Sequence, residues 1–146
     1  MGTAKEAADR HLAAFNAKNA DAFVGNESPD IEFDVPGAIT LRGRDQVRAY
    51  IEIFWRAFPD GQVTPRQQVV TDDTAVTESD FSGTQTGTLS TPAGDIPATG
   101  RQVTLRQVAV QRVRDGLIVS EHLYFDQLDF MAQLGQLPTP ANARRA

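Results

Sequence analysis

Residues 102–125 read QVTLRQVAVQRVRDGLIVSEHLYF, and this stretch decides the fold. Valine, leucine and phenylalanine recur among polar neighbours, and Arg114-Asp115-Gly116 interrupts them, which predicts two strands, 102–113 and 117–125, joined by a hairpin turn. Upstream, 62–71 and 74–86 have the same Val- and Thr-rich texture, with Asp72-Asp73 as a second hairpin-type break. Four strands in succession make a meander. Thr91-Pro92-Ala93-Gly94-Asp95-Ile96-Pro97 reads as a longer loop between its second and third strands, and Pro65 suits the start or edge of its own strand.

Outward from the meander the pattern turns helical. Residues 4–17 carry Ala8, His11, Leu12 and Phe15 as one apolar stripe, and 20–24 adds a short second helical turn. Ile31, Phe33 and Val35 alternate with Glu32 and Asp34 as a strand that Pro36-Gly37 ends. A long helix is expected from Asp45, its N-cap, through the stripe Val47, Tyr50, Ile51, Phe54 and Phe58 to the stop at Pro59, with Trp55 widening the stripe. After the hairpin, 126–134 is a short helix with Gly135 as its C′ residue. Residues 138–146 read as a mobile polar tail, and 1–137 as one domain. Helices first and a twisted sheet afterwards point to an α+β fold, a curved antiparallel sheet wrapped around N-terminal helices. If the helices do not fill that curve, its mouth is an apolar pocket; a filled core is the alternative.

Composition removes several function classes. Of the 146 residues 40% are hydrophobic, enough for one core. There is no cysteine, which excludes disulfides, thiolate zinc sites and a cysteine nucleophile. The two histidines, His11 and His122, are not at metal-ligand spacing, so no metal site is expected. A net charge of -5 with scattered basic residues lacks the footprint of a nucleic-acid binder. No apolar run is long enough for a signal peptide or membrane span, and the expectation is a cytoplasmic protein that contacts neither membrane nor nucleic acid. No GxSxG, P-loop or GxGxxG pattern is present.

A set of short markers, in order along the chain, resembles the SnoaL-like polyketide cyclases. They are Ala14-Phe15-Asn16, Phe54-Trp55-Arg56-Ala57-Phe58-Pro59-Asp60, Gly83-Thr84-Gln85-Thr86-Gly87, Ile96-Pro97-Ala98-Thr99-Gly100-Arg101, Arg114-Asp115-Gly116, Tyr124-Phe125-Asp126-Gln127 and Gln133-Leu134-Gly135. The resemblance implies the cone of the nuclear-transport-factor-2-like (NTF2-like) fold, a homodimer formed through the outer sheet face, a small hydrophobic ligand, and intramolecular aldol condensation without a cofactor. Such chemistry needs a carboxylate or imidazole of adjusted pKa in an apolar site and a proton donor for the developing alkoxide.

The same resemblance exposes a departure. Aligned on Arg114-Asp115-Gly116, the cyclases' acid/base aspartate falls at Leu123 and their partner histidine at Ala109, neither of which can move a proton. Gln85 stands where many relatives have histidine. Strand alternation places Leu117, Val119, Glu121, Leu123 and Phe125 on the face that the resemblance makes the pocket, so Glu121 becomes the candidate acid/base, its pKa raised by desolvation. A rim glutamate paired with an arginine is the alternative. Asp126 matches a family aspartate and is also a natural N-cap, with Asp129 three residues on. The expected pocket lining is Phe33, Trp55, Ala109, Leu123 and Phe125, with few polar groups.

Asp34 at the cone's mouth, Gln85, and Gln107 with Gln111 on the stripe of Ala109 are the candidate hydrogen-bonding contacts, a solvated edge aspartate being the alternative for Asp34 and a polar outer face the alternative for Gln107 and Gln111. His11 reads as a core histidine. Ile118, Ser120, His122 and Tyr124 fall on the outer face with Val108 and Val110, where dimer contact is expected. Three functions remain open: an acid–base polyketide-cyclase-like enzyme, a non-catalytic small-molecule binding protein, and epoxide-hydrolase-like water addition, which needs two carboxylates and an arginine on one water.

Overall fold

The computed structural model describes residues 3–37 and 39–137. The tail expected at 138–146 lies outside the described residues. Helix α1 (Ala4–Asn16) starts at Thr3, whose side chain accepts a hydrogen bond from the Glu6 N–H, and α2 (Ala20–Gly25) starts at Asn19 in the same way. Strands β1 (Glu27–Val35) and β2 (Ile39–Arg42) form a hairpin, and α3 (Gly43–Ala57) follows. The α3 helix begins earlier than expected: Arg42 is its N-cap residue, Gln46 Oε1 accepts from the Arg42 N–H at 2.8 Å, and Asp45 sits in the first turn. There its negative charge complements the helix dipole.

The meander then runs β3 (Gln62–Val70), β4 (Thr74–Thr84), β7 (Gln102–Arg114) and β8 (Leu117–Phe125). Between β4 and β7 the expected loop contains a small hairpin, β5 (Leu89–Thr91) and β6 (Gly94–Ile96). Helix α4 (Gln127–Gln133) closes the described chain. The main sheet has the order β2-β1-β8-β7-β4-β3 and is antiparallel except where β1 joins β8 in parallel. This is the expected α+β architecture, a curved, unclosed sheet with the N-terminal helices on its inner face. No described helix is long and apolar enough to cross a membrane.

Local chemistry sets the curvature and the joints. Asp115 and Gly116 both take positive φ, 53° and 78°, which gives the β7–β8 hairpin the primed turn that matches strand twist. Beta-bulges interrupt β3 after Pro65 and the β7–β8 ladder after Arg112, and both bend the sheet. The second bulge corrects the strict alternation expected for β8. Arg112 pairs with Ser120 but Val113 pairs with Ile118, so Ile118 enters the core, fully buried, instead of facing outward. Asn16 pins the end of α1 to β3 by a reciprocal pair, its Nδ2 donating to the Val63 carbonyl at 2.9 Å and its Oδ1 accepting from the Val63 N–H at 2.8 Å.

The 83–87 marker docks on the end of α3. The Thr86 and Gly87 N–H groups both donate to the Ala57 carbonyl, and a Cβ on Gly87 would lie 2.1 Å from the Arg56 carbonyl oxygen. Only glycine fits that approach. Two apolar clusters result. One gathers Ala4, Ala7, Phe23, Ile31, Val47 and Ile118, and the other Phe58, Phe81, Val103, Leu105, Phe130 and Leu134.

Candidate functional site

A cavity of about 440 Å³ lies against the inner sheet face, lined by members of both apolar clusters. Its sheet wall is a lattice that the strand register lays out in rows. Gln111 lies opposite Glu121, Ala109 opposite Leu123, and Gln107 opposite Phe125; on β4, Thr77 faces Ala109 and Ser79 faces Gln107. Because side chains alternate along each strand, all of these share one face. The helix wall is apolar and aromatic, with Leu12 and Phe15 from α1, Phe23 from α2, and Tyr50, Ile51 and Phe54 from α3. Lys5, Asp9 and Pro65 are exposed residues at its margin.

At one end of the lattice four polar side chains are buried together. His11 Nε2 lies 2.9 Å from Glu27 Oε2, and His11 Nδ1 lies 3.2 Å from Gln111 Nε2. Gln111 Nε2 donates to Glu121 Oε1 at 2.6 Å, and that oxygen is 3.7 Å from His11 Nδ1. His11, Gln111 and Glu121 are 4%, 5% and 5% exposed and line the cavity; Glu27 is fully buried behind His11. The imidazole is stacked on Phe23 with ring centroids 3.8 Å apart. Loss of water raises the Glu121 carboxyl above the ordinary carboxylate value, opposed by His11 and the Gln111 hydrogen bond and reinforced by Glu27. Across the cavity, burial pushes the Tyr50 hydroxyl up to about 12.

Of the residues singled out from sequence, Phe33, Gln107, Ala109, Glu121, Leu123 and Phe125 line this cavity. Four do not. Trp55 packs behind the wall, edge-on to Phe15 and Phe23 at 5.8 and 6.1 Å, with its buried Nε1 unpartnered among the described residues. Asp34 lies on the other face of β1, where Thr40 Oγ1 donates to it at 2.7 Å and His122 Nδ1 is 3.5 Å away. Gln85 is fully buried but serves the loops: its amide donates to the Gly87, Ile96 and Pro97 carbonyls and accepts from Thr99 N–H and hydroxyl. Asp126 is the exposed N-cap of α4, accepting from the Asp129 N–H at 3.0 Å.

The expectation of few polar groups is also corrected, since Thr77, Ser79, Gln111 and His11 join Glu121 and Gln107 on the wall. Glu27 was not singled out from sequence, and nothing local marks it. Its place depends on the parallel β1–β8 pairing, in which Glu27 lies opposite Ile118. His11 carried a signal, its position on the α1 stripe. Among the described residues no group of His, Asp and Glu side chains is arranged to hold a metal ion; in the buried cluster the imidazole separates the two carboxylates.

Residues 8–121 match the SnoaL-like domain family. In three dimensions the chain is similar to TsrD from Streptomyces laurentii, at 28% identity and a TM-score of 0.77 over 91% of this chain and 95% of that one. It is similar to an NTF2-like protein from Burkholderia thailandensis E264, at 25% identity and a TM-score of 0.76 over 94% and 100%. A third similar structure is IdmH from Streptomyces antibioticus, a candidate polyketide cyclase, at 24% identity and a TM-score of 0.76 over 92% and 99%. No curated protein matches the chain.

Proposed function

The chain belongs to the SnoaL-like domain family, and from that premise we propose that it is a cofactor-independent enzyme of polyketide-cyclase type, performing acid–base catalysis on a hydrophobic, carbonyl-bearing small molecule. The observation that carries this reading is Glu121, a carboxyl raised by desolvation on the wall of an otherwise largely apolar cavity. A carboxylate there takes a proton from the carbon next to one substrate carbonyl. The enolate so formed attacks a second carbonyl of the same molecule, closing a carbon–carbon bond, and the resulting alkoxide takes a proton from a donor. Tyr50 on the helix wall is the donor we assign: burial makes its hydroxyl a weaker acid, yet still a stronger one than the alcohol formed, and the proton that Glu121 took then replaces the one Tyr50 gave. The aromatic helix wall holds the substrate folded, which supplies the proximity such a closure needs.

The family pattern supports a relocated acid/base. The positions that match the family pair, Ala109 and Leu123, lie opposite one another, and Gln111 and Glu121 are the next pair on the same face. The polar pair is therefore one same-face step along the ladder, roughly 7 Å. The test is turnover of poly-β-carbonyl and polycyclic ester substrates by wild type and Glu121→Gln. A loss of about 10²–10⁴-fold is expected for a missing acid/base, and unchanged turnover refutes the role of Glu121.

A second reading, a non-catalytic binding protein, is favoured by the apolar residues at both family acid/base positions. Recovery of a bound hydrophobic compound unchanged after long incubation, with no pH-dependent product, would establish it. Water addition of the epoxide-hydrolase kind has less support, since no arginine is among the described residues lining the cavity. The outer sheet face, where Tyr124 is 58% exposed, is the surface we assign to a homodimer in the cytoplasm.

A further inference from the structure

We infer that Glu27 is a positioning residue, which from behind the cavity wall fixes the direction of a buried hydrogen-bond chain ending on Glu121. Its meaning for catalysis rests on the acid–base reading of Glu121; its geometry does not. Glu27 is fully buried, its Oε2 lies 2.9 Å from His11 Nε2, and its Oε1 has no partner among the described residues. Arg44 Nε donates to the Glu27 carbonyl at 2.8 Å and holds the backbone at the start of β1. The stacked Phe23 ring holds the imidazole from its other side.

Where Glu27 is ionised it only accepts hydrogen bonds, and His11 Nε2 then carries the hydrogen of their contact. In the neutral ring the lone pair then sits on Nδ1, facing Gln111. A lone pair needs a donor, so Gln111 presents its amide nitrogen, 3.2 Å away, and the other hydrogen of that nitrogen reaches Glu121 Oε1 at 2.6 Å. Gln111 could equally present its oxygen if the polarity of its neighbours were reversed. Glu27 decides that polarity. Without an acceptor there, the ring hydrogen moves to Nδ1 and Gln111 turns its carbonyl inward. Glu121 Oε1 then faces an oxygen instead of an N–H, which disfavours the carboxylate needed as base.

The charged and titratable groups around the chain are few. His11 on α1 is faced by Glu27 from β1 and Glu121 from β8, while β7 contributes the neutral Gln111 and α2 the Phe23 ring. From α3, Arg44 reaches the Glu27 carbonyl, and His122 is next to Glu121 on β8.

The experiment is ¹⁵N NMR of the imidazoles at a pH where they are neutral, in wild type, Glu27→Gln and Glu27→Met. The chain has two histidines, so a His122→Asn background assigns the His11 signals. Neutral His11 is expected as the Nε2–H tautomer in wild type and in Glu27→Gln, whose amide oxygen still accepts, and as the Nδ1–H tautomer in Glu27→Met. Both variants lack the Glu27 charge, which itself raises Glu121, so the two are compared with each other: the ¹³C carboxyl titration of Glu121 lies at higher pH in Glu27→Met, where the Gln111 N–H is lost, than in Glu27→Gln, where it is kept. On an identified substrate, kcat of Glu27→Met falls by roughly tenfold with KM little changed, less than the roughly 10²–10⁴-fold of a lost acid/base, and Glu27→Gln keeps the wild-type value.

An Nδ1–H ring in wild type overturns the inference even if Glu27→Met does not fold, and an unchanged Nε2–H ring in a folded Glu27→Met overturns it as well. Expected tautomers together with full turnover by Glu121→Gln would refute the acid–base reading and leave the hydrogen-bond chain standing.

Discussion

The cavity joins two buried regions of opposite character. At one end Phe54, Phe58, Phe81 and Phe130 form a ring cluster with centroids 5.0–6.3 Å apart. At the other end His11, Glu27, Gln111 and Glu121 are buried to the same degree as Phe58, Phe81 and Phe130, while Phe54 is partly buried. In the aromatic region burial is itself the driving force, since each ring gains from the area it removes from water. In the polar region burial opposes folding unless every donor and acceptor is matched, and among the described residues one Glu27 oxygen is not. The difference teaches where to look for function. A fold that retains a costly cluster on the wall of a cavity, while filling the other end with phenylalanine, has the local inconsistency expected of a working site.

The largest effect should come from the aromatic end. Phe81 is 2% exposed and its ring meets Phe15, Phe54 and Phe58. Phe81→Ala is expected to cost about 3–5 kcal/mol in urea unfolding. A loss below about 1 kcal/mol would mean that the ring cluster is not the stabilising region, and the contrast would collapse. Gln85 sharpens the contrast because it is a polar side chain buried near the aromatic end. Gln85→Leu removes the donor to the Gly87, Ile96 and Pro97 carbonyls, of which only the Ile96 contact is buried, and the cost expected for that one buried group is about 1–3 kcal/mol. Ligand affinity, followed through the fluorescence of the single tryptophan Trp55, should not change; a large affinity loss would return Gln85 to the ligand site.

The polar end should reveal itself in pH dependence rather than in a large step. The folded state holds the Glu121 proton more tightly than the unfolded chain, whose ordinary value is 4.5. Wild-type stability relative to Glu121→Gln is therefore highest below that value, declines as pH rises through the raised folded value, and is level above it. Parallel urea titrations of both proteins from acid to neutral pH measure the slope. A stability difference that rises with pH would place Glu121 among ion-paired carboxylates instead.

How much of this was legible depended on whether a residue's place is set locally. The α3 stripe and the β7–β8 hairpin follow from periodicity and from Asp115-Gly116, and alternation put Glu121, Leu123 and Phe125 together on one face. The same rule failed at Ile118, where a bulge moves one residue across the sheet, a change of pairing that leaves no mark in β8 alone. Strand β2 is four residues long, too short for a period to stand out. Glu27 was hidden for a stronger reason: its role needs α1, β1, β7 and β8 assembled at once. Alternation did set Asp34 opposite Phe33, and it was its placement at the cone's mouth that failed, since it bonds Thr40 on the other face; Trp55 was misplaced by the breadth of the α3 stripe.

Asp126 gives the smallest effect and a clear separation of roles. It was open from sequence as a proton-transfer residue or a helix cap, and it stands at the start of α4, whose Phe130 is part of the aromatic cluster. Its side chain accepts from the Asp129 N–H, and it is absent from the cavity wall. Asp126→Ala should then cost about 1 kcal/mol, the usual value of a lost N-cap, and Asp126→Asn should recover most of it because an amide oxygen caps as well. Turnover at saturating substrate should be the same in all three proteins. If Asp126→Asn keeps its stability but loses turnover, the carboxyl acts in proton transfer, and the working site reaches past the polar end into the region assigned here to stability alone.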